Sequence, residues 1–295
     1  MKTNRLDIFN SIGNTPLIKI GNIYAKLEIT NPTGSVKDRM AWYMVKKAEE
    51  RQELKPGNKI IEVTSGNTGI SLAMISAIKG YKFIAIMPES MSIERRKMIE
   101  LFGGKIILTS AKDDMVSAFK KYNELVRRNK NAWLPKQFEN LDNITALKKG
   151  LGKEIIKQMK GKIDAFVAGV GTGGTLIGVA QALKEIGSKA KVIAVEPEES
   201  AVLSGKKAGS HMIQGIGEGF IPKIVKENIN LIDEIITVKS QEAIRMKNKL
   251  AKKFGILVGI SSGANVLAAR EIEKRYRYKK IVTILPDRGE RYLSK

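Results

Sequence analysis

The chain has 295 residues, of which 43% are hydrophobic and 28% are charged, values typical of globular proteins with one large domain or two medium ones. It contains no cysteine and one histidine, His211, which excludes disulfides and cysteine nucleophiles and argues against a metal site or a Ser-His-Asp triad. The net charge of +22 first suggests nucleic acid, but lysines and acidic residues are interleaved through nearly every predicted helix, which favours a solvated surface and no nucleic-acid partner.

Short apolar runs alternate with stretches of helical periodicity along the chain. The apolar runs predict buried parallel strands at residues 59–63, 83–87, 106–108, 165–168, 192–195 and 281–285. Helices are predicted between them at residues 69–79, 92–102, 115–128, 175–186 and 240–254. This alternation predicts an α/β fold with parallel sheets, whose ligands bind beyond the carboxyl ends of the strands.

Nothing in the sequence indicates a membrane or an export signal. No run of about 18 apolar residues is present. Residues 1–8 carry charges but no apolar segment and no small-residue cleavage site. We therefore expect a cytoplasmic protein without a membrane partner. A change from one structural unit of the chain to the next near residues 141–149 predicts a domain boundary.

A glycine-rich loop follows the fourth predicted strand and opens a helix. Its glycines let backbone amides converge, and its threonines and the helix N-terminus add hydrogen-bond donors, so it is suited to hold a phosphate. It lacks the third glycine of a Gly-x-Gly-x-x-Gly motif, because Leu176 stands there. A tight turn without phosphate explains the loop equally well. Its residues are Gly171, Thr172, Gly173, Gly174 and Thr175.

A second polar loop follows the first predicted strand. Residues 64–69 read Thr-Ser-Gly-Asn-Thr-Gly at a helix start. One helix cap needs one such side chain, and this loop offers four. The excess favours binding of a carboxylate by amides and hydroxyls over simple capping.

The third segment of interest, residues 31–39, leads into a helix that carries Lys37 in its first turns. A lysine at a helix start opposes the helix dipole, which favours the neutral amine where the site is partly buried. A neutral lysine amine is the nucleophile that attacks carbonyl groups. The chain has 52 lysines and arginines, so the residues alone do not distinguish Lys37 from a surface lysine.

These loops, taken together and in this order, resemble those of cysteine synthases (O-acetylserine sulfhydrylases) and cystathionine β-synthases, which are fold-type II pyridoxal-5′-phosphate (PLP) enzymes. The resemblance covers nearly the whole chain, through motifs at residues 12–17, 34–39, 64–69, 91–96, 137–138, 169–175, 214–217, 259–263 and 285–294. It implies two three-layer α/β domains with mostly parallel sheets and a PLP cleft between them. We place the domains at 1–145 and 146–295, with a segment near 10–35 that can cross to the other domain.

The resemblance also implies a role for individual residues. Lys37 would carry PLP covalently and act as the general base. Asn67 would hydrogen-bond the ring oxygen of PLP, the loop at 171–175 would hold its phosphate, and Ser261 would face its pyridine nitrogen. Because serine is neutral, little charge can build up at Cα, which favours prompt loss of a β-substituent. The substrate would be bound by Thr64, Ser65, Asn67, Thr68 and Gln137, with Gly215 in a loop nearby.

Two places depart from the pattern of cysteine synthases. Residues 147–153 read Leu-Lys-Lys-Gly-Leu-Gly-Lys and lack the histidine, threonines and proline that the family carries there. The change either alters the cysteine synthase activity or reflects drift in a structural helix, and the sequence favours neither explanation. The second departure is Glu218, which places a carboxylate where cysteine synthases have small residues. It is either a solvated loop residue or a specificity residue that activates water or steers a second amino acid.

The resemblance implies a β-replacement enzyme that converts O-acetylserine and sulfide to cysteine and acetate through an α-aminoacrylate. The alternative is an enzyme that consumes cysteine, releases hydrogen sulfide and gives serine, lanthionine or cystathionine. A homodimer is expected, and serine acetyltransferase is a candidate partner. A non-catalytic binding module and a nucleic-acid binder are the rivals from other classes.

Overall fold

The computed structural model describes residues 7–110 and 114–294. Its strands form two sheets. The smaller sheet has three parallel strands in the order β3-β4-β5: β3 (Lys59–Val63), β4 (Lys82–Pro88) and β5 (Lys105–Thr109). The larger sheet has six strands in the order β1-β2-β9-β6-β7-β8. They are β1 (Leu17–Ile20), β2 (Ile23–Leu27), β6 (Ala165–Gly169), β7 (Lys191–Pro197), β8 (Glu234–Val238) and β9 (Ile281–Leu285).

All neighbouring strands in both sheets run parallel except the pair β1 and β2. The predicted α/β class with mostly parallel sheets is therefore confirmed. All the predicted strands are present, and β1, β2 and β8 were not predicted from the sequence. The domain limits at 1–145 and 146–295 stay a prediction; β1 and β2, from early in the chain, belong to the larger sheet.

Helices cover the sheets and account for most of the remaining regular structure. The five predicted ones correspond to α2 (Asn67–Lys79), α3 (Ile93–Leu101), α4 (Asp114–Arg128), α7 (Gly174–Glu185) and α9 (Ser240–Phe254). The helix expected to carry Lys37 is α1 (Lys37–Glu50). The others are α5 (Leu141–Leu147), α6 (Lys153–Gln158), α8 (Lys223–Lys226) and α10 (Ile260–Tyr276). Within the described ranges, no helix is long and apolar enough to cross a membrane.

One hydrophobic core extends across both sheets. It joins residues of the smaller sheet, such as Ile60 and Phe83, to Phe166 and Val282 of the larger sheet. Met40 on α1 belongs to the same core. Since the two sheets share this core, loops at the ends of their strands are held in fixed relation to one another.

A buried ionic network holds the start of α1 against the larger sheet. Arg39 donates from Nε to Glu28 at 2.7 Å and from Nη1 to Glu154 at 2.6 Å. Lys26 on β2, which is fully buried, reaches the second oxygen of Glu154 at 2.7 Å. Glu154 is thus clamped between two cations, and its pKa is lowered to about 2, against burial, mainly by the hydrogen bond and charge of Arg39.

The altered segment at 147–153 forms a π-helical turn, Lys148–Gly152, between α5 and α6. This turn packs closely on α7: a Cβ at Gly152 would lie 2.6 Å from the Ala182 side chain. None of its residues lines the cleft described below. The segment can therefore act on the cleft indirectly, through α7 and through Arg39 of α1, since a Cβ at Gly150 would lie 3.3 Å from Nη1 of Arg39.

Candidate active site

A cleft lies where the carboxyl ends of β3, β6 and β9 meet, as parallel strands predict. Segments from both halves of the chain contribute to its walls. The cleft is lined by Val36, Lys37, Ser65, Asn67, Thr68, Gln137, Gly169, Gly171, Thr172, Gly173, Thr175, Gln214, Gly215, Ile216, Glu218, Ser261, Ile284 and Pro286. Of the residues predicted from sequence, all but Thr64 and Gly174 line this cleft.

Lys37 is the first residue of α1 and points into the cleft from a rigid position. The backbone amide of the preceding residue, Val36, donates to the carbonyl of Pro286 at 2.8 Å, which ties the helix start to the end of β9. Burial lowers the pKa of the Lys37 amine, and the carboxylates of Glu218 and Asp287 partly oppose this. The site therefore favours the neutral amine, which can act as nucleophile and base.

The loop between β6 and α7 is shaped as a cradle that admits only glycine at several positions. Gly173 has φ +87°, and a Cβ there would lie 2.2 Å from a methyl of Val225. A Cβ at Gly171 would lie 2.4 Å from the carbonyl oxygen of Gly215. The amides of the first turn of α7 have no acceptor within the helix, and they form the positive end of the helix dipole. This is the geometry that a phosphate requires.

Gly174 does not line the cleft, but it allows the Asn143 side chain to pack against the back of the loop at 171–175. A Cβ at Gly174 would lie 2.0 Å from Oδ1 of Asn143, so the close approach of this side chain depends on glycine. Nδ2 of Asn143 in turn donates to the hydroxyl oxygen of Thr172 at 3.0 Å. The Thr172 hydroxyl is left with its hydrogen to donate into the cleft.

The loop after β3 and the segment around Gln137 form the opposite wall. Thr68 donates to Oε1 of Gln137 at 2.6 Å, and Nε2 of Gln137 donates to the carbonyl of Val63 at 2.7 Å. Thr64 is buried, and its hydroxyl oxygen accepts from the amides of Gly66 and Gly69 within the loop. Thr64 thus shapes the loop from inside, while Ser65 and Thr68 lie at the cleft surface.

Asn67 is anchored by an acidic residue that the sequence reading did not include in the site. Its Nδ2 donates to Oδ2 of Asp287 at 2.7 Å. Asp287 is 1% exposed and also accepts from the hydroxyl of Tyr292 at 2.7 Å. The position of Asp287 directly after the last strand could have indicated that it lies near the cleft. Its contact with Asn67 could not be predicted, because 220 residues of sequence separate the two.

Ser261 reaches the cleft from the first turn of α10. The helix is held between two strands by Asn265, whose side chain accepts from the amide of Gly169 at 2.8 Å and donates to the carbonyl of Ile284 at 3.0 Å. Ser261 is therefore fixed against both β6 and β9, close to the cradle and to Lys37.

The loop at 214–218 closes the cleft on the side of the cradle. The amide of Gly217 donates to the carbonyl of Val170 at 3.0 Å, and a ring nitrogen of His211 lies 2.8 Å from the carbonyl of Gly217. His211 therefore holds the loop and does not line the cleft. Glu218 is half-buried, and its negative charge opposes the lowering of the Lys37 pKa by burial.

Comparisons with known proteins agree with this geometry. A family model described as pyridoxal-phosphate dependent enzyme matches residues 8–287. Cysteine synthase B of Campylobacter jejuni is 50% identical over 287 residues, which is 96% of this chain and 95% of that protein.

Two crystal structures show the same architecture over nearly the whole chain. Cysteine synthase from Entamoeba histolytica is 44% identical with a TM-score of 0.92, covering 100% of this chain and 90% of that one. A hydrogen sulfide-producing enzyme from Fusobacterium nucleatum is also 44% identical, with a TM-score of 0.91, covering 97% and 89%. The resemblance inferred from the motifs is thus confirmed.

Proposed function

Because the chain belongs to the cysteine synthase family of pyridoxal-phosphate dependent enzymes, we propose that it catalyses β-replacement on a small amino acid. The proposed reaction converts O-acetylserine and sulfide to cysteine and acetate. The observation that carries this proposal is the placement of the Lys37 amine and the glycine cradle in one cleft. The cleft brings a base and a phosphate site together with polar groups for an amino-acid carboxylate.

The residues of the cleft fit PLP. The cradle at 171–175 would hold the phosphate, since side chains at Gly171 and Gly173 would collide with their surroundings and close it. Lys37 would hold the aldehyde carbon, Asn67 the ring oxygen, and Ser261 the pyridine nitrogen. When bound, PLP supplies an electron sink for negative charge at Cα of the amino acid.

The residues of this chain would perform the remaining work. Ser65, Thr68, Asn67 and Gln137 would bind the substrate carboxylate, and the hydrogen bond between Thr68 and Gln137 keeps both side chains in place. Once the amino group of the substrate has displaced it from the aldehyde carbon, Lys37 would take the proton from Cα, after which acetate would leave Cβ with the bonding electrons. Sulfide then adds at Cβ, and Lys37 returns the proton to Cα. Burial of Lys37 favours the neutral amine that the first step needs.

The second candidate is consumption of cysteine with release of hydrogen sulfide. Glu218 favours it, because a carboxylate in the cleft can take a proton from water or attract the amino group of a second amino acid. A similar protein from Fusobacterium nucleatum is a hydrogen sulfide-producing enzyme. The nucleophile would then be water, cysteine or homocysteine, and the product serine, lanthionine or cystathionine.

A paired assay on PLP-loaded protein separates the two candidates. One arm contains O-acetylserine and sulfide and is scored for cysteine; the other contains cysteine alone and is scored for sulfide and for serine or lanthionine. Efficient cysteine formation with little sulfide release supports the first function. Fast sulfide release with weak synthesis supports the second, and inactivity in both arms contradicts both.

Glu218→Ala tests the specificity role of this carboxylate. If Glu218 selects the nucleophile, the variant changes the ratio of products while loss of the leaving group proceeds at the wild-type rate. Glu227→Ala, which removes an exposed carboxylate, serves as the control for charge. Equal loss of both half-reactions in Glu218→Ala would count against a role in nucleophile choice.

We also propose a cytoplasmic homodimer, on the strength of the family resemblance. Serine acetyltransferase is the proposed protein partner, docking its C-terminal tail in the cleft. Analytical ultracentrifugation tests the dimer. Competition between an acetyltransferase tail peptide and O-acetylserine tests the partner, and absence of competition contradicts it.

A further inference from the structure

Arg95 is a buried charge on α3 that contacts several segments around the cleft without lining the cleft itself. Its side chain is 1% exposed. Burying a guanidinium group is unfavourable unless polar partners compensate for the lost water. The partners of Arg95 come from the loop at 214–218 and from the segment after β9. These partners indicate the role of the Arg95 side chain.

A chain of hydrogen bonds leads from Arg95 to Asn67. Nη2 of Arg95 donates to the hydroxyl oxygen of Tyr292 at 2.7 Å. Tyr292 donates to Oδ2 of Asp287 at 2.7 Å, and Nδ2 of Asn67 donates to the same oxygen at 2.7 Å. Nη2 of Arg95 also lies 3.6 Å from that oxygen.

The direction of this chain is fixed at its Arg95 end. A guanidinium group can only donate hydrogen bonds, so the Tyr292 oxygen accepts from it and must turn its hydrogen toward Asp287. The carboxylate of Asp287 accepts from Tyr292 and from Asn67, so Asn67 faces it with the NH₂ end of its amide. The two ends of an amide are distinguished only by such partners. The guanidinium lies over the Tyr292 ring, 4.7 Å from its centroid, which holds the hydroxyl in place.

Arg95 also contacts the two loops that form the cleft walls. Nη1 donates to Oε1 of Gln214, which lines the cleft. Gly66, with φ +134°, lies against the side chain, since a Cβ there would be 2.2 Å from Cδ of Arg95. Gly66 directly precedes Asn67, so Arg95 holds the backbone as well as the side-chain partner of Asn67.

We propose that Arg95 is a positioning residue that fixes the orientation of the Asn67 amide toward the PLP ring, acting through Tyr292 and Asp287. The NH₂ group of Asn67 has two hydrogens. Asp287 accepts one of them, and the second is available to the ring oxygen of PLP. The inference rests on the placement of PLP in the proposed function, and it adds a residue remote from the cleft surface.

The test compares Arg95→Met, Arg95→Lys and the control Lys97→Met, which removes an exposed positive charge from the same helix. Each apoprotein is titrated with PLP without substrate, and the dissociation constant and the visible absorption band are recorded. We expect Arg95→Met to bind PLP about fivefold to tenfold more weakly and to shift the band, since one hydrogen bond to the ring loses its alignment. Arg95→Lys keeps a group that only donates, so its band stays close to that of the wild type.

A purely structural role for Arg95 predicts a different result. It would lower the unfolding temperature of Arg95→Met while leaving the absorption band and PLP affinity unchanged, and this outcome overturns the proposal. An equal shift in Lys97→Met also overturns it, because a general charge effect would then be sufficient.

If Arg95→Met does not fold, Tyr292→Phe removes the hydroxyl that links Arg95 to Asp287. We expect the same spectral shift, and a wild-type band and affinity in Tyr292→Phe contradict the inference. The proposed function is tested separately: failure of the wild type to form cysteine would refute that function and leave these substrate-free comparisons valid.

Discussion

Glu154→Gln is expected to cost a large part of the stability of the protein, although Glu154 lies outside the cleft. Its two carboxylate oxygens accept from Arg39 at 2.6 and 2.8 Å and from Lys26 at 2.7 Å, and the amide of Asn14 donates to it at 2.9 Å. The variant would turn an NH₂ group toward one of these cations. Two donors would then face each other in a site that is 83% shielded from water, since the Glu154 side chain is 17% exposed.

The size of the loss follows from the pKa of Glu154. Its ordinary value is 4.5, and the folded protein lowers it to about 2. At roughly 1.4 kcal/mol for each pH unit, ionised Glu154 stabilises the fold by about 3 to 4 kcal/mol at neutral pH. Because the folded pKa is depressed, this stabilisation is complete above pH 4.5 and is lost as the pH falls toward 2. The difference in the free energy of unfolding between the wild type and Glu154→Gln should therefore decrease over the same pH range.

Urea unfolding of the PLP-loaded proteins, monitored by tryptophan fluorescence from about pH 7 down to about pH 3, measures this gap. Glu53→Gln is the control, because Glu53 pairs with Arg51 on the surface at 2.8 Å and should contribute less than about 1 kcal/mol. A loss below about 1 kcal/mol for Glu154→Gln near pH 7 would refute the reasoning. So would a loss that is the same at every pH.

Three further predictions concern the cleft. Lys37→Ala should abolish the visible band of the PLP-loaded protein and lower turnover at least about 10³-fold, since both the covalent link and the base are lost; a retained band contradicts this. Gly173→Ala should weaken PLP binding more than about tenfold, because its Cβ would lie 2.2 Å from a valine methyl, whereas Gly187→Ala, with positive φ but open space, should not. Thr68→Val should raise KM for the amino acid about fivefold with kcat nearly unchanged, because Gln137 loses its donor at 2.6 Å; an unchanged KM argues against a carboxylate site there.

The sheets could be predicted where burial follows from local sequence. Strands β4, β6 and β9 are almost entirely apolar runs, and each appears within a residue or two of its expected limits. β2 could not be found in this way, because it contains Lys26. That lysine is buried only because it meets Glu154, 128 residues further along the chain. Its burial depends on a tertiary contact that no local pattern records.

The same limit applies to the cleft. The loops at 64–69 and 171–175 could be predicted because each follows a parallel strand and combines glycines with hydroxyl or amide side chains. Gln137, Gly215 and Ser261 do not directly follow a strand and were implied only by the family resemblance. Arg95 belonged to a recognised motif but gave no sign of its role, since its partners Gln214 and Tyr292 lie 119 and 197 residues away. Asp287 belongs to the motif at 285–294, but nothing in the sequence indicates its hydrogen bond to Asn67.

The larger sheet has a consequence for how the protein is made. Strand β2 pairs with β9 through contacts such as Ile23 with Ile281. The early strand β2 can therefore form this pairing only after β9 has been synthesised. Pairings so distant in sequence form late, because the closing loop is long. Ser261 and Pro286 reach the cleft from the same late part of the chain. The cofactor site therefore cannot be completed on the ribosome before Pro286 has been synthesised, and the vitamin would be captured only after that point.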